Sequence, residues 1–306
     1  MREYIGEYDG GESISQLHDS IYEPHTFKPI SEFHLHSSNQ VEEHKGECDP
    51  DTDYGLNSNY FRSPELGLVD LVTLGCSQTF GMGVDDDDIW PHRLAQTLNC
   101  SYVNLAMPGS AIETMVSSAF AYIQEYGKPK VIAALLPGYG RMQIPLNNKH
   151  FTFRDNRDKR DLIFMNNLNF GYREDGGPQD VPLISKRPHV IDELLPYEVA
   201  LHQSMFALSV LIQYCKDVGI ELVFSTWNGA MNDFIEKKKQ HHMTKLDLSG
   251  YVKVPPVKWQ PKHQACHTEL IKNESIWDVA RDCGGHIGVH SHIHYAEAFA
   301  EKIEML

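Results

Sequence analysis

"LVTLGCSQTFGMGV", residues 71–84, decides how this chain is read. Leu71–Leu74 form a short apolar run suited to a strand buried on both faces. The run stops on Gly75, and Gly81 and Gly83 follow closely, so the backbone is free to turn sharply just where Cys76 and Ser77 stand side by side. A serine just beyond a strand can lift its Oγ clear of the backbone. Its own N–H and that of a neighbouring glycine then point into the same cavity, as an oxyanion hole requires. Serine is also a favoured helix N-cap, and the stretch alone leaves that reading open. Cys76 is a second nucleophile by residue type, although a side chain one position earlier points elsewhere.

Working outward, "IWPHRLAQTLN" repeats apolar residues at helical spacing through Ile89, Trp90, Leu94 and Leu98. "SYVNLAMPG" reads as a second strand, "SAIETMVSSAFAYIQEY" as a helix and "KVIAALLPG" as a third strand. Later, "SMFALSVLIQYCKDVG" predicts a helix closing on Gly219, "IELVFSTW" its strand, and "HYAEAFAEKIEML" a terminal amphipathic helix. Strand and helix in alternation predict an α/β fold, a doubly wound parallel sheet flanked by helices. In such sheets ligands gather at the carboxyl ends of the strands, where "GCSQTFG", "MPGS" and "PGYGR" all fall.

Residues 1–66 are polar and lack sustained apolar periodicity, so they read as an N-terminal extension packing on a domain at 67–306. Two interruptions, at about 142–200 and 230–275, are too long for structureless loops and are expected to form lids or a small subdomain.

The 306 residues carry 27 Lys+Arg against 42 Asp+Glu, a formal charge of -15, which repels a phosphate backbone and argues against nucleic acid. The six cysteines, Cys48, Cys76, Cys100, Cys215, Cys266 and Cys283, show no paired spacing. They read as reduced thiols. The N-terminus lacks the basic and apolar regions of a secretory signal. No stretch approaches the ~18–20 apolar residues of a membrane span. A cytoplasmic protein is expected.

The blocks "LVTLGCSQTFGMGV", "WPHRLAQTL" and "NLAMPGS" together resemble the opening of the SGNH (GDSL-like) hydrolase family, whose fold is a flavodoxin-like three-layer sandwich. "NSNYFRSPE" is similar to the Asn-x-x-Gly-Phe-Arg lead-in that precedes this block in many members. The resemblance implies that Ser77 is the nucleophile and that the N–H groups of Ser77 and Gly109 form the oxyanion hole. Gly75, Gly81 and Gly83 match the framing glycines. The late block "ARDCGGHIGVHSHIHYAEAFAEKI" resembles the family's Asp-x-x-His segment, which implies His286 as general base and Asp282 as its carboxylate partner, with Asp278 an alternative. It implies no cofactor and no metal.

The chain departs from the family at three places. Cys76 replaces the Asp of Gly-Asp-Ser; Asp282 and His286 stand one residue further apart; and "PGYGR" replaces the Gly-x-Asn-Asp block that supplies the third oxyanion donor. Arg141, Asn147 and Asn148 are the candidates for that contact, or for binding substrate. The implied activity is serine-dependent hydrolysis of an acyl ester, an acetyl group on a polar substrate such as a glycan ranking first because the interruptions are polar and carry Arg154, Arg157 and Arg160.

Two other readings stand beside it. A catalytically silent module of the same fold could bind glycans or belong to a virion, since the blocks look most like those of tailed-phage members. The run "HIGVHSHIH" sets His286, His290, His292 and His294 within nine residues, and imidazole ligates several transition metals. His292 and His294 otherwise read as surface or helix N-terminal histidines.

Overall fold

The structure is a computed structural model. It describes residues 52, 54–59, 61–138, 201–228, 231–232, 235, 246–254, 280 and 286–305, together with the backbone of strands and helix at 141–146, 149–154, 163–166 and 197–200. Strand β1 (Leu71–Gly75) leads through the short helix α1 (Ser77–Phe80) to α2 (Trp90–Leu98) and β2 (Tyr102–Asn104). Helix α3 (Ile112–Tyr126), β3 (Val131–Leu136), α4 (Tyr197–Val218) and β7 (Glu221–Thr226) follow, and α5 (Val289–Glu304) closes the chain.

These strands form one parallel sheet in the order β2-β1-β3-β7. Because the chain moves outward from β1 to β2 and then crosses back to β3, the order reverses between β1 and β3. That reversal is the switch point at which open α/β sheets place their ligand crevice.

The strands are apolar throughout because both faces are covered. Val72, Leu74, Ile132, Ala134, Leu136 and Phe224 turn to one side, into a cluster with Ile112, Met115, Ala119 and Tyr122 of α3 and Leu208 and Leu211 of α4. Leu71, Ala133, Leu135 and Val223 turn to the other, against Trp90 and Leu94 of α2 and Tyr295 and Phe299 of α5. Alternate residues of each strand therefore feed opposite layers, which makes the three-layer, doubly wound arrangement that the sequence predicts.

Two details differ from the sequence expectation. Strand β2 ends at Asn104 rather than continuing through Leu105 and Ala106. The Asn104 Oδ1 accepts hydrogen bonds from Thr73 Oγ1 (3.0 Å) and from Ala106 N (3.2 Å), turning the chain there although Leu105 N still donates to Thr73 O (2.9 Å). Within the second interruption, residues 246–254 join the core. Phe224 N donates to Gly250 O (2.9 Å), Val252 N donates to Phe224 O (2.8 Å), and Leu246 and Val254 are buried. A Cβ on Gly250 would lie 2.0 Å from Leu222 O, so this close approach to β7 requires glycine.

Part of the first interruption is a separate antiparallel sheet, β4 (Arg141–Leu146), β5 (Lys149–Arg154) and β6 (Ile163–Asn166), in that order. Among the described residues no helix is long and apolar enough to cross a membrane.

Candidate active site

Ser77 is the first residue of α1, and Cys76 is its N-cap with extended backbone. The four-residue helix is held at both ends. Thr79 N and Phe80 N donate to Cys76 O, and Gly81 N and Met82 N to Ser77 O. Gly81, at φ 81°, ends it in the left-handed region. Gly75 is obligatory for a different reason: a Cβ there would sit 1.9 Å from Thr79 Oγ1, so the side chain of the next turn packs directly on the bare backbone.

Within this turn Ser77 keeps 9% of its surface exposed, whereas Cys76, Thr79 and Phe80 keep none. The cysteine lies close enough to Tyr295 of α5 for the two to interact electrostatically. Burial is the main cause, with Tyr251 and Cys76 adding to it, of the raised Tyr295 phenol. Cys76 is thus a packing residue here, and Ser77 beside it is the residue of the pair that retains some exposure.

The second strand-end turn lies against the first. Met107 N donates to Gly75 O (3.3 Å), which brings the turn after β2 next to the turn after β1. Ser110 N closes that turn on Met107 O (3.2 Å), with Pro108 and Gly109 at its centre. Gly109 has φ 79°, the combination of proline and positive-φ glycine that marks a type II turn. The hydrogen bond closing the turn uses the Ser110 N–H, not that of Gly109. The N–H groups of Ser77 and Gln78, at the first two positions of α1, have no partner within the helix.

The third contribution comes from the far end of the chain. Ile287 N donates to the side-chain Oε1 of Gln78 (2.9 Å), a bond spanning 209 positions. It ties the main chain next to His286, a half-buried residue, to the turn that carries Ser77. Ala280 N also donates to His286 O (3.0 Å), so the main chain on either side of 281–285 is drawn together. Asp282 itself, with Asp278, Asn147 and Asn148, lies outside the described residues. Arg141 begins β4, where only the backbone is described.

His292 departs from the expectation of a surface or helix N-terminal position. It lies in the first turn of α5 but is fully buried, and its Nδ1 accepts a hydrogen bond from Trp90 N (3.0 Å). That bond leaves the remaining proton on Nε2, which has no partner among the described residues. Burial, followed by the positive charges of Arg62 and Arg93 and by His286, pushes its pKa down to about 3. His290 and His294 are exposed one helical turn apart on α5, so the four histidines are divided between different environments. Among the described residues no group of three His, Cys, Asp or Glu side chains could hold a metal ion.

Gln78, Arg62 and Glu113 are further residues at this site that the sequence reading did not single out. Gln78 signals itself only as a polar residue in an apolar turn, 4% exposed. Glu113 sits in the first turn of α3, four residues beyond Gly109, with both carboxylate oxygens out of solvent and, among the described residues, no hydrogen-bond partner on another residue. Burial raises its pKa to about 7. Arg62 is buried beneath the turn that follows α1.

No protein-family model and no curated protein matches the chain. It is similar to several solved structures. One is an inferred lipolytic protein of the G-D-S-L family from Desulfitobacterium hafniense DCB-2, at 12% identity and TM-score 0.37, covering 76% of this chain and 98% of that one. A second is an inferred acylhydrolase from Bacteroides fragilis NCTC 9343, at 10% identity and TM-score 0.39, covering 91% and 98%. A third is a carbohydrate esterase family 2 enzyme with a carbohydrate-binding domain from Corynascus thermopiles (Myceliophthora fergusii), at 13% identity and TM-score 0.37, covering 79% and 67%.

Proposed function

We propose that the chain is a serine acyl-ester hydrolase of the SGNH type. The observation that carries this reading is the Gln78–Ile287 hydrogen bond, which joins the residue after Ser77 to the residue after His286 at the switch point of the sheet. Two elements remote in sequence, each bearing one half of a nucleophile–base pair, are thereby fixed to one another.

In this reading His286 takes the proton from the Ser77 hydroxyl as Oγ attacks the acyl carbonyl. The carbonyl oxygen gains negative charge, and the N–H groups of Ser77 and Gly109 stabilise it. The protonated His286 passes its proton to the departing alkoxide. Water, deprotonated by the same imidazole, then releases the acid and regenerates Ser77. Asp282 orients His286 and stabilises its protonated form. The substrate proposed is a short acyl ester, an acetyl group first, on a polar carrier such as a glycan. The polar, arginine-bearing interruptions of the sequence support that choice.

Hydrolysis of p-nitrophenyl acetate tests the reaction, and a fluorophosphonate probe tests the nucleophile. Wild-type protein should turn over the ester and take the label on the peptide containing Ser77. S77A should lose the label and, with H286A, lose activity by ~10⁴-fold or more. Folded wild-type protein that neither hydrolyses the ester nor takes the label would overturn the reading in favour of a silent binding module.

A further inference from the structure

We infer that Arg62 is a positioning residue for the nucleophile, acting through the turn that ends α1; as a catalytic effect this rests on the esterase reading above. Arg62 is 1% exposed, yet among the described residues a single carboxylate, Asp86, forms an ion pair with it, at 2.5 Å from Nε. The rest of the guanidinium is directed at backbone. One terminal nitrogen donates to Phe80 O (3.1 Å) and Gly81 O (2.5 Å), and the other donates to Val84 O (2.6 Å). Four of the five N–H groups are therefore used, three of them on carbonyls of one turn.

Desolvating a guanidinium is costly, and a mere surface loop does not need it. What the arrangement achieves is geometric. A planar fork bonded to residues 80, 81 and 84 fixes the path of the chain where it leaves α1. That path is coupled to the nucleophile directly, because Gly81 N and Met82 N both donate to Ser77 O. The orientation of the peptide joining Ser77 to Gln78, and with it the Ser77 backbone that carries Oγ, follows from where Gly81 and Met82 are held.

The clamp is itself braced. The Tyr54 ring lies under the guanidinium at 4.7 Å, and the Tyr54 hydroxyl accepts from Gly83 N (2.8 Å). The second oxygen of Asp86 accepts from Gly55 N (2.9 Å). A Cβ on Gly55 would come within 2.4 Å of that oxygen. The segment before β1 thus wraps the turn after α1 from two sides. A lysine at 62 keeps the charge but has no fork that can reach three carbonyls.

The test compares R62K, R62A and Y54F with wild type after far-UV circular dichroism has confirmed folding. Hydrogen exchange read by mass spectrometry comes first because it does not depend on turnover. Amides 81–84 should exchange at least ~10-fold faster in R62K, with β1 and α5 unchanged. With p-nitrophenyl acetate, kcat should fall ~10- to 100-fold in R62K while KM stays within about twofold, as expected for misplacement by part of an ångström. Millimolar guanidinium should restore part of the lost rate in R62A and none in S77A.

Unchanged exchange at 81–84 in folded R62K overturns the clamp, whether or not the wild type hydrolyses esters. An inactive wild type whose R62K variant shows the faster local exchange retains the clamp and removes only the esterase reading. If R62A does not fold, Y54F, which removes a single brace, should give a smaller acceleration confined to the same amides. No acceleration there counts against the proposal.

Discussion

Arg62 and Glu113 are both withdrawn from water next to the strand-end turns that form the candidate site, and the fold treats them in opposite ways. Arg62 has a carboxylate, three carbonyls and an aromatic face arranged around it. Glu113 has no partner on another described residue for either oxygen. A partnered charge stays charged and holds structure in place; an unpartnered acid relieves the cost of burial by keeping its proton. The first is a structural device and the second a titrating group near neutral pH. Changing pH or the residue itself separates the two behaviours.

The largest effect is expected at His292, where the same logic applies to an imidazole. Its pKa is about 3 in the folded protein against 6.5 for the free side chain, because burial and the nearby Arg62 and Arg93 charges disfavour protonation. A lowered histidine pKa contributes full stability above pH 6.5. As pH falls from 6.5 toward 3 the unfolded chain takes up a proton that the folded chain refuses, and stability is lost, by on the order of 4 kcal/mol at the acid end. H292N offers Trp90 N an amide oxygen in place of Nδ1 and does not titrate. Urea midpoints across pH 4–8 should fall more steeply toward acid in wild type than in H292N; parallel curves would show that His292 is not held neutral.

Glu113 should give the opposite slope and a smaller amplitude. Its carboxyl is at about 7 folded and 4.5 unfolded. Below pH 4.5 it is protonated in both states and costs nothing. Between 4.5 and 7 the unfolded chain ionises first, so stability falls as pH rises, and above 7 the deficit is constant. E113Q, which cannot ionise, should therefore be more stable than wild type by ~1–3 kcal/mol at pH 8, with the gap closing by pH 4.5. Equal urea midpoints at pH 8 would mean that the carboxylate finds a partner in solution.

These residues also show what a sequence can and cannot carry. Leu71–Leu74 and Ile132–Leu136 are legible as strands because burial on both faces makes them continuous apolar runs, and the helices between them because their apolar spacing is local. Ser77 stands out as a candidate because it follows a strand that gives out on glycine, whereas Gly109 and His286 are candidates only through the family resemblance of their blocks. Gln78 and His292 were not legible, because each is defined by a single bond across 209 and 202 positions, which leaves no periodic trace. Arg62 was visible as part of a recurring lead-in, but its work on Phe80, Gly81 and Val84 depends on a turn that only the fold brings to it. Glu113 sits where an acid is ordinary, in the first turn of a helix, so its sequence position gives no hint that its oxygens are buried.

Gly109 allows the smallest of the tests, one in which no charge is involved. Its φ of 79° lies where an L side chain is strained, so G109A should lower stability by ~1–2 kcal/mol. Gly67 is the matched control, since a Cβ there would meet nothing within 4 Å and its backbone needs no glycine. G67A should be neutral, or slightly stabilising through the unfolded chain, by less than ~1 kcal/mol. Both differences should be independent of pH between 5 and 8, unlike those of H292N and E113Q. If G109A proves no less stable than G67A, the turn after β2 relaxes to negative φ at no cost. Its amide is then not held in a fixed direction, and the oxyanion role proposed for Gly109 loses its geometric basis.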